Sequence, residues 1–352
     1  MIESSHISSV KSGISKKKRV KPIESSGVAT VIEQSIRPST IDEIVGRDSE
    51  KKKLRMMISS TKRRGEVLDH ILFYGPPGLG KTTFAIALAN EINSSLRITS
   101  GPAIERQGDL AAILTNLKAN DILFIDEIHR IPRVVEEILY PAMEDRAIDI
   151  VMGKGPSAKT IRLTLEPFTL IGATTQIGKI SSPMRDRFGL IQRLDYFGEE
   201  DLVLILKRAA VLWDIAYDSD ALTEVAKRSR GTARVALRLL KRVRDFAESE
   251  ILKSFIDRET AIRGLELLGI DDLGLEEIDR KILASIYNNY GGGPVGLSTL
   301  AAAVSEDLNT VESVYEPFLM KCGLLQRTSR GRVLTEKGMR HAIEILGLTS
   351  II

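Results

Sequence analysis

The chain has 352 residues, a formal net charge of +3 and an apolar content of 43%, which suits two or three soluble domains rather than one. Its single cysteine, Cys322, excludes a disulfide scaffold, and its four histidines argue against a metal site built of protein ligands alone. No apolar run reaches the ~18 residues of a membrane span, and the polar N-terminus lacks a signal-peptide core, so we expect a cytoplasmic protein without a membrane segment.

Residues 1–33 are rich in serine and lysine, with a basic cluster at residues 16–21. They show neither helical nor strand periodicity, which predicts a basic disordered tail. Two interpretations of the cluster remain open. It is either a solvated charge run or a contact for the phosphate backbone of a nucleic acid.

Short apolar strands alternate with helical stretches over residues 34–197, which predicts a large α/β domain. The strands read as continuous apolar runs, as buried parallel strands do. They are predicted at His70–Tyr74, Ile122–Ile125 and Phe168–Ala173. Helices are predicted at Thr82–Ile92 and Asp109–Leu117.

A phosphate-binding loop is predicted at Gly75–Thr82, where Gly-Pro-Pro-Gly-Leu-Gly-Lys-Thr joins a strand to a helix. Glycines such as Gly78 and Gly80 let backbone N–H groups wrap phosphates, and the helix N-terminus adds partial positive charge. Lys81 is expected to reach the β- and γ-phosphates of ATP, and Thr82 to ligate Mg²⁺. A mere glycine-rich turn is the alternative, which the strand–loop–helix context disfavours.

Two carboxylates, Asp126 and Glu127, lie at the end of the predicted strand Ile122–Ile125. Asp126 fits a magnesium role, and Glu127 can orient and deprotonate the attacking water. Thr175 ends a further strand and could bond the γ-phosphate or the water, although threonine also favours strand ends for its β-propensity alone. These residues predict a hydrolase rather than a kinase.

Three arginines farther along the chain are candidates for contacts to phosphate. Arg185 and Arg187 lie a dozen residues after Thr175, where a rigid guanidinium fork from one subunit could stabilise phosphoryl transfer in its neighbour. Arg234 opens a helix of the next domain and could report the nucleotide state.

Two smaller domains are predicted after the α/β domain. Residues 198–268 have apolar positions at helical spacing, which predicts a small helical domain. Residues 271–352 contain three helices and a turn-linked pair of strands, the pattern of a winged helix. This last region has 8 Lys and Arg against 11 Asp and Glu, so any DNA contact must be local. The positive charge concentrates at Lys321, Arg327, Arg330 and Arg332. A purely structural winged helix is the alternative.

The order of these motifs resembles that of the AAA+ ATPases. Their amino-acid sequences are similar to those of the RuvB family of Holliday-junction branch-migration motors. The segments that carry the closer resemblance are Gly75–Thr83, Ile125–Arg130, Leu139–Asp145, Ile171–Thr175, Pro183–Gly189, Gly292–Leu297 and Leu325–Thr328. The resemblance runs from about Ile36 to the end. It implies an AAA+ P-loop domain, a small helical lid domain and a winged-helix head that act as an ATP-driven DNA translocase.

The resemblance also implies a set of nucleotide contacts. They fall on Ile36, Arg37, Gly78, Lys81, Thr82, Thr83, Glu144, Asp145, Arg146, Phe197 and Arg234. Thr175 matches the first sensor, Arg187 the arginine finger, and Arg327 and Arg332 the DNA contacts. The family usually has Tyr at Phe197 and Pro at Ala233, and a third DNA-contacting Arg falls on Leu308.

The partners that the resemblance implies are double-stranded DNA at a Holliday junction, RuvA, and RuvC in the resolving complex. RuvA would dock on the hairpin Ile150–Arg162, whose turn lies at Gly153 and Gly155, and the motor would be a homohexamer. Two alternative functions fit part of the pattern. One is a loader or remodeller ATPase acting on a protein complex, and the other is an ATP-switched DNA-binding regulator. The winged helix and hairpin disfavour the first, and Glu127 with Arg187 the second.

Overall fold

The computed structural model describes residues 36–152, 159–252 and 254–347. The predicted tail at residues 1–33 and the hairpin turn with Gly153 and Gly155 lie outside these residues. The described chain forms three bodies in sequence order: a large α/β domain, a helical lid and a head.

The large domain is built on a five-stranded parallel sheet. Its strands are β1 (Ile71–Tyr74), β2 (Leu96–Ser100), β3 (Ile122–Asp126), β6 (Thr169–Thr174) and β7 (Leu190–Arg193). They lie side by side in the order β2-β3-β6-β1-β7. Its helices are α1 (Asp48–Arg64), α2 (Lys81–Glu91), α3 (Gln107–Thr115), α4 (Arg133–Glu144) and α5 (Ser182–Asp186).

Helices cover both faces of this sheet. Along β1, Ile71 and Phe73 pack against α1 and α2, whereas Leu72 between them faces α3 and α4. The alternation follows from the two-residue period of a strand. Because both faces are buried at the centre of the sheet, the strands β1, β3 and β6 are largely apolar, and this is why the sequence showed them as continuous runs.

An antiparallel hairpin projects between α4 and β6. It pairs β4 (Ala147–Met152) with β5 (Lys159–Thr164), with Ile150 opposite Ile161. The predicted hairpin segment, Ile150–Arg162, is therefore the outer part of a longer ladder.

The lid consists of four helices held together by a short parallel strand pair. Its elements are α6 (Glu199–Leu212), β8 (Ala216–Tyr217), α7 (Ser219–Lys227), α8 (Ala233–Ser249), β9 (Phe255–Ile256) and α9 (Arg258–Leu267). Its core is made of leucine, valine and alanine side chains on the inward helix faces.

The head is a winged helix. Its elements are α10 (Glu277–Tyr290), α11 (Leu297–Val304), α12 (Leu308–Thr310), a π-helical turn (Val311–Tyr315), α13 (Glu316–Lys321), β10 (Leu325–Thr328), β11 (Gly331–Leu334) and α14 (Glu336–Ile345). The strand pair β10–β11 is the wing. The helix α14 was not predicted from the sequence.

Buried ion pairs join the head to the lid. Arg230 pairs with Asp279, whose side chain is fully buried, and its guanidinium also lies 4.6 Å from the ring of Phe318. Lys321 of the head donates to the carbonyl oxygen of Arg230 at 3.3 Å, and its ammonium lies 4.0 Å from the ring of Tyr196. The three bodies thus meet at the loop of the lid between α7 and α8.

Candidate functional site: a cleft between the large domain and the lid

The phosphate-binding loop follows β1 at the carboxyl end of the sheet. Gly75, Gly78 and Gly80 have φ angles of 142°, 80° and 92°, a region that side chains other than glycine adopt only with strain. A Cβ on Gly78 would lie 2.9 Å from the Cβ of Arg234 in the lid. The loop therefore needs glycine both for its backbone conformation and for close contact with the lid.

Lys81 lies at the start of α2 and points back into this loop. Its ammonium donates to the carbonyl oxygens of Gly75 at 2.8 Å and Pro76 at 2.9 Å. Burial lowers the pKa of Lys81, Asp126 and Glu127 act to raise it, and Arg234 adds to the lowering. The ammonium is thus a cation held by two neutral acceptors within the field of two carboxylates.

Asp126 and Glu127 stand beside the loop, where the central strand β3 ends. Glu127 has φ 50° and ψ 42°, a left-handed conformation, and its N–H donates to Oδ1 of Asp126 at 3.0 Å. This turn aims the two carboxylates in different directions. Thr175, after β6, donates to Glu127 Oε2 at 3.5 Å.

His129 contacts Glu127 and was not predicted from the sequence to belong to the site. Its Nε2 lies 3.3 Å from Glu127 Oε2, and its Nδ1 lies 2.8 Å from the hydroxyl oxygen of Thr174. Burial lowers the pKa of His129, although Glu127 acts to raise it. The signal was present in the sequence as a histidine two positions after Glu127, but the local turn that brings it back is a tertiary feature.

A cleft of about 700 Å³ lies between the large domain and the lid and brings most of the predicted residues together. The predicted residues that line it are Ile36, Arg37, Gly78, Gly80, Lys81, Thr82, Thr83, Asp126, Glu127, Thr175, Phe197 and Arg234. Lining residues that were not predicted include Arg208, Trp213, Leu237 and Arg238. The volume suits a nucleotide-sized ligand.

Phe197 lines the cleft at the point where the large domain joins the lid. Its backbone N–H donates to the carbonyl oxygen of Gly231 at 2.9 Å, and the guanidinium of Arg47 lies 4.3 Å from its ring. The ring offers an apolar face for a base without a hydroxyl. Ala233 is the first residue of α8, the position where proline is favoured, and Thr232 caps this helix by accepting from Val235. The Ala233 departure therefore leaves the helix start intact.

Arg187 lies outside this cleft. It donates to Glu144 Oε2 at 2.9 Å and to the carbonyl oxygen of Pro183 at 2.6 Å, and its guanidinium lies 4.6 Å from the ring of Tyr140. Asp145 pairs nearby with Arg162 at 2.7 Å. The predicted segment Glu144–Arg146 is thus grouped with Arg187, away from the residues around Lys81.

The two predicted DNA arginines lie on the wing of the head. The side chain of Arg327 is 46% exposed, whereas that of Arg332 is only 12% exposed. Both bond to Glu316. Leu308, where the family pattern has a further arginine, is exposed.

Comparison with known proteins agrees with this architecture over nearly the whole described chain. Residues 36–194 match the model of the Holliday junction DNA helicase RuvB P-loop domain. Residues 197–271 match the RuvB AAA lid domain, and residues 272–343 match the RuvB C-terminal winged helix domain.

This chain belongs to the RuvB family.

Individual members of the RuvB family are similar to it over most of their length. The Holliday junction branch migration complex subunit RuvB of Fusobacterium nucleatum is 53% identical over 310 residues, which is 88% of this chain and 93% of that protein. The structure of the Thermotoga maritima RuvB Holliday junction branch migration motor is 47% identical, with a TM-score of 0.79, and covers 90% of this chain and 99% of its own. A variant of that protein gives a TM-score of 0.80 at 48% identity, over 89% of this chain and 99% of its own.

Membership in the RuvB family confirms the predicted fold class and the predicted activity. The protein is an ATP-driven motor of Holliday junction branch migration with a P-loop AAA+ domain, a lid and a winged helix. Among the described helices, none is both long and apolar enough to span a bilayer.

Proposed function

We propose that ATP binds in the cleft with its phosphates on Gly75–Thr82 and is hydrolysed by residues of the sheet's carboxyl edge. The observation that carries this proposal is the convergence of Lys81, Asp126, Glu127 and Thr175 on one cleft wall. Lys81 offers its charge to the β- and γ-phosphates, and Glu127 takes a proton from the attacking water. Thr175 senses the γ-phosphate through its hydroxyl.

The base and ribose would occupy the part of the same cleft around Phe197, where the large domain joins the lid. Ile36, Phe197 and Leu237 offer apolar surface there. Arg37 and Arg234 add positive charge at its rims, and Gly78, Gly80 and Thr83 offer backbone and hydroxyl groups. Closure of the lid on the nucleotide would bring Arg234 toward the phosphates, because its Cβ already faces Gly78.

The residues at the loop and the strand end fit a magnesium ion. The Thr82 hydroxyl and the Asp126 carboxylate are hard oxygen donors on one wall of the cleft. Mg²⁺ prefers oxygen donors and commonly takes only one or two from protein, the rest coming from water and phosphate. When bound, the ion would neutralise charge that develops on the phosphates.

We further propose that the protein works as a homohexamer in which Arg187 enters the neighbour's site. The support is its distance from its own cleft and its grouping with Glu144, which makes Glu144–Arg146 and Arg187 parts of the same interface. The Nε atom of Arg187 is buried without a hydrogen-bond partner within the described residues. A phosphate of the nucleotide bound by the neighbouring subunit would accept a hydrogen bond from this guanidinium, in addition to the one that Glu144 accepts.

The head would hold duplex DNA at Arg327 and Arg332, and the hairpin at Ile150–Arg162 would dock on RuvA. RuvC would join in the resolving complex, and the protein would act in the cytoplasm. The domain limits of 34–197, 198–268 and 271–352 are our assignment, supported by family matches that change near the same residues. A loader of protein clamps and an ATP-switched regulator are disfavoured by the RuvB-type head and by Glu127 with Arg187.

Branch migration of a synthetic four-way junction, with and without ATP and RuvA, tests the proposal. The Lys81→Ala variant should lose ATP hydrolysis and branch migration, since the phosphates lose their main point charge. Lys52→Ala is the matched control, because Lys52 is exposed and lies outside the cleft. Near-normal turnover by Lys81→Ala would contradict the nucleotide-site assignment.

A further inference from the structure

The wing of the head places two arginines directly opposite each other. Arg327 of β10 and Arg332 of β11 are cross-strand partners in the antiparallel pair. Like charges at directly opposite positions destabilise a hairpin. The fold must therefore supply a counter-charge between them.

Glu316 supplies that charge from the neighbouring helix. Its Oε1 accepts from Nε of Arg327 at 2.7 Å, and its Oε2 accepts from NH2 of Arg332 at 3.0 Å and from its Nε at 3.3 Å. Only 2% of Glu316 is exposed. One buried carboxylate thus binds both guanidinium groups, one on each oxygen.

Local chain geometry explains why Glu316 faces the wing. Pro317 follows it and cannot donate a helical hydrogen bond, and its ring crowds the preceding turn. The helix widens here into the π turn Val311–Tyr315, and the N–H of Glu316 donates to Val311 five residues back. Such turns often mark functional positions.

Glu316 remains a carboxylate in this environment. Burial acts to raise its pKa, but the hydrogen bonds and charges of Arg327 and Arg332 outweigh burial, and the net result is a lowered pKa. The cluster therefore carries two positive charges and one buried negative charge at neutral pH.

Glu312 offers a built-in comparison one helical turn earlier. It accepts from Nη2 of Arg327 at 3.2 Å, and its side chain is 45% exposed. Among the described residues it makes no hydrogen bond to Arg332, which bonds to Glu316 instead. An exposed pair of this kind contributes little to stability but does compete for the cation.

We propose that Glu316 is a positioning residue of the DNA interface, which fixes Arg327 and Arg332 as one rigid pair of phosphate ligands. Glu312, by contrast, only competes with phosphate for Arg327. Glu316 holds Arg327 at Nε and Arg332 at Nε and Nη2, so each guanidinium keeps further N–H groups that can donate to a phosphate, and less conformational freedom is lost on binding. This inference rests on the proposed contact of these two arginines with DNA.

Two substitutions that change the charge equally separate positioning from simple electrostatics. Glu312→Gln removes a competing carboxylate and should tighten binding to duplex DNA several-fold at low salt. Glu316→Gln removes the same charge but unpins both arginines, so it should weaken binding about ten-fold, the scale of one charged hydrogen bond. It should also reduce the log–log salt slope by up to about one unit.

The measurement is DNA affinity of the full chain at several salt concentrations, with thermal unfolding recorded for each variant. In an Arg327→Ala/Arg332→Ala background, Glu316→Gln should no longer weaken binding, because its effect passes through those arginines. If both glutamine variants tighten binding, Glu316 acts only as a competing charge and the inference is wrong.

A second variant decides the matter should Glu316→Gln fail to fold. Arg332→Lys keeps the positive charge but cannot form the fork to Glu316. Positioning predicts weaker DNA binding in this variant, whereas unchanged affinity and salt slope overturn the inference. If Arg327→Ala/Arg332→Ala itself leaves affinity and slope unchanged, the proposed DNA contact fails first, and with it everything that rests on it.

Discussion

At the scale of single residues, the geometry around Glu127 distinguishes it from its neighbour Asp126. Glu127 sits in a left-handed conformation that turns its carboxylate toward Thr175 and His129, whereas Asp126 accepts the N–H of Glu127 and faces the loop. Two adjacent acids are thereby given two different tasks. The proposed role of Glu127 toward the attacking water is the basis of the following prediction.

The Glu127→Gln variant should bind ATP and Mg²⁺ but hydrolyse ATP at least ~10²-fold more slowly, because an amide cannot accept the proton from water. Binding is measured with a fluorescent nucleotide, and turnover by phosphate release. Glu105→Gln, an exposed acid outside the cleft, is the control and should behave as the parent. If Glu127→Gln no longer binds ATP, its role is structural and the division of labour with Asp126 is wrong.

At the scale of elements, the phosphate-binding loop and the first turn of α8 are in contact, which links the large domain to the lid. Gly78→Ala should weaken ATP binding about ten-fold or more, because a Cβ would lie 2.9 Å from that of Arg234 and overpacking of this kind commonly costs 1–3 kcal/mol, or roughly ten-fold and above. Isothermal titration with ATP measures the change.

Gly65→Ala is the matched control for this variant. Gly65 also has a positive φ, 68°, but a Cβ there would meet nothing within 4 Å. Both variants carry the backbone strain of a left-handed alanine, roughly 1–2 kcal/mol, and should lose similar thermal stability from that cause. Only Gly78→Ala should lose affinity for ATP. Equal affinities in the two variants would show that the contact with the lid does not matter for binding.

The role that we propose for the hairpin β4–β5 depends on a partner. It projects between α4 and β6, and Ile161 is 43% exposed on it, which suits a docking surface. Replacing residues 150–162 with a short Gly-Ser turn should keep ATP binding and partner-independent hydrolysis but abolish RuvA-dependent loading on four-way junctions. Co-purification with RuvA and junction loading are the measurements. RuvA binding that survives the replacement would refute the assignment.

At the scale of the whole molecule, Lys81 and Arg187 belong to two different surfaces of one chain. Lys81 lies in the cleft, whereas Arg187 is held by Glu144 and Tyr140 away from it. We have proposed that a complete site combines Lys81 of one subunit with Arg187 of its neighbour, and the following variants test this. Arg187→Ala should bind ATP normally but hydrolyse it ~10³-fold or more slowly, since transition-state charge stabilisation is lost.

Mixing two inactive variants tests this arrangement directly. Where an intact Arg187 of the Lys81→Ala variant meets an intact loop of the Arg187→Ala variant, a complete site is rebuilt, and ATPase activity should return that neither variant shows alone. Phosphate release after verified subunit exchange is the measurement. If no activity returns, either Arg187 acts on its own subunit's nucleotide or the ring needs several working sites together. Repeating the mixture with Arg185→Ala tests the neighbouring arginine.

The sequence by itself determined the parts of this protein whose information is local. The phosphate-binding loop, the acidic end of β3 and the apolar strands could be predicted because glycine conformations, buried strands and helix starts leave direct traces in residue order. Predicted element limits agree with the structure to within a few residues, as for the strand Phe168–Ala173 against Thr169–Thr174. Helical spacing and the order of helices and strands likewise predicted the lid and the head.

Other features were decided only by the tertiary structure, because they depend on residues distant in sequence or on backbone turns without a sequence signature. The edge strands β2 and β7 were missed since they are partly exposed and carry polar residues, so they do not read as continuous apolar runs. The meeting of Gly78 with Arg234 follows from packing between domains. The separation of Arg187 from its own cleft follows from its pairing with Glu144 within the large domain. Glu316 lies among many helix acids in the sequence, and only the π turn and the pairing of β10 with β11 place it between two arginines.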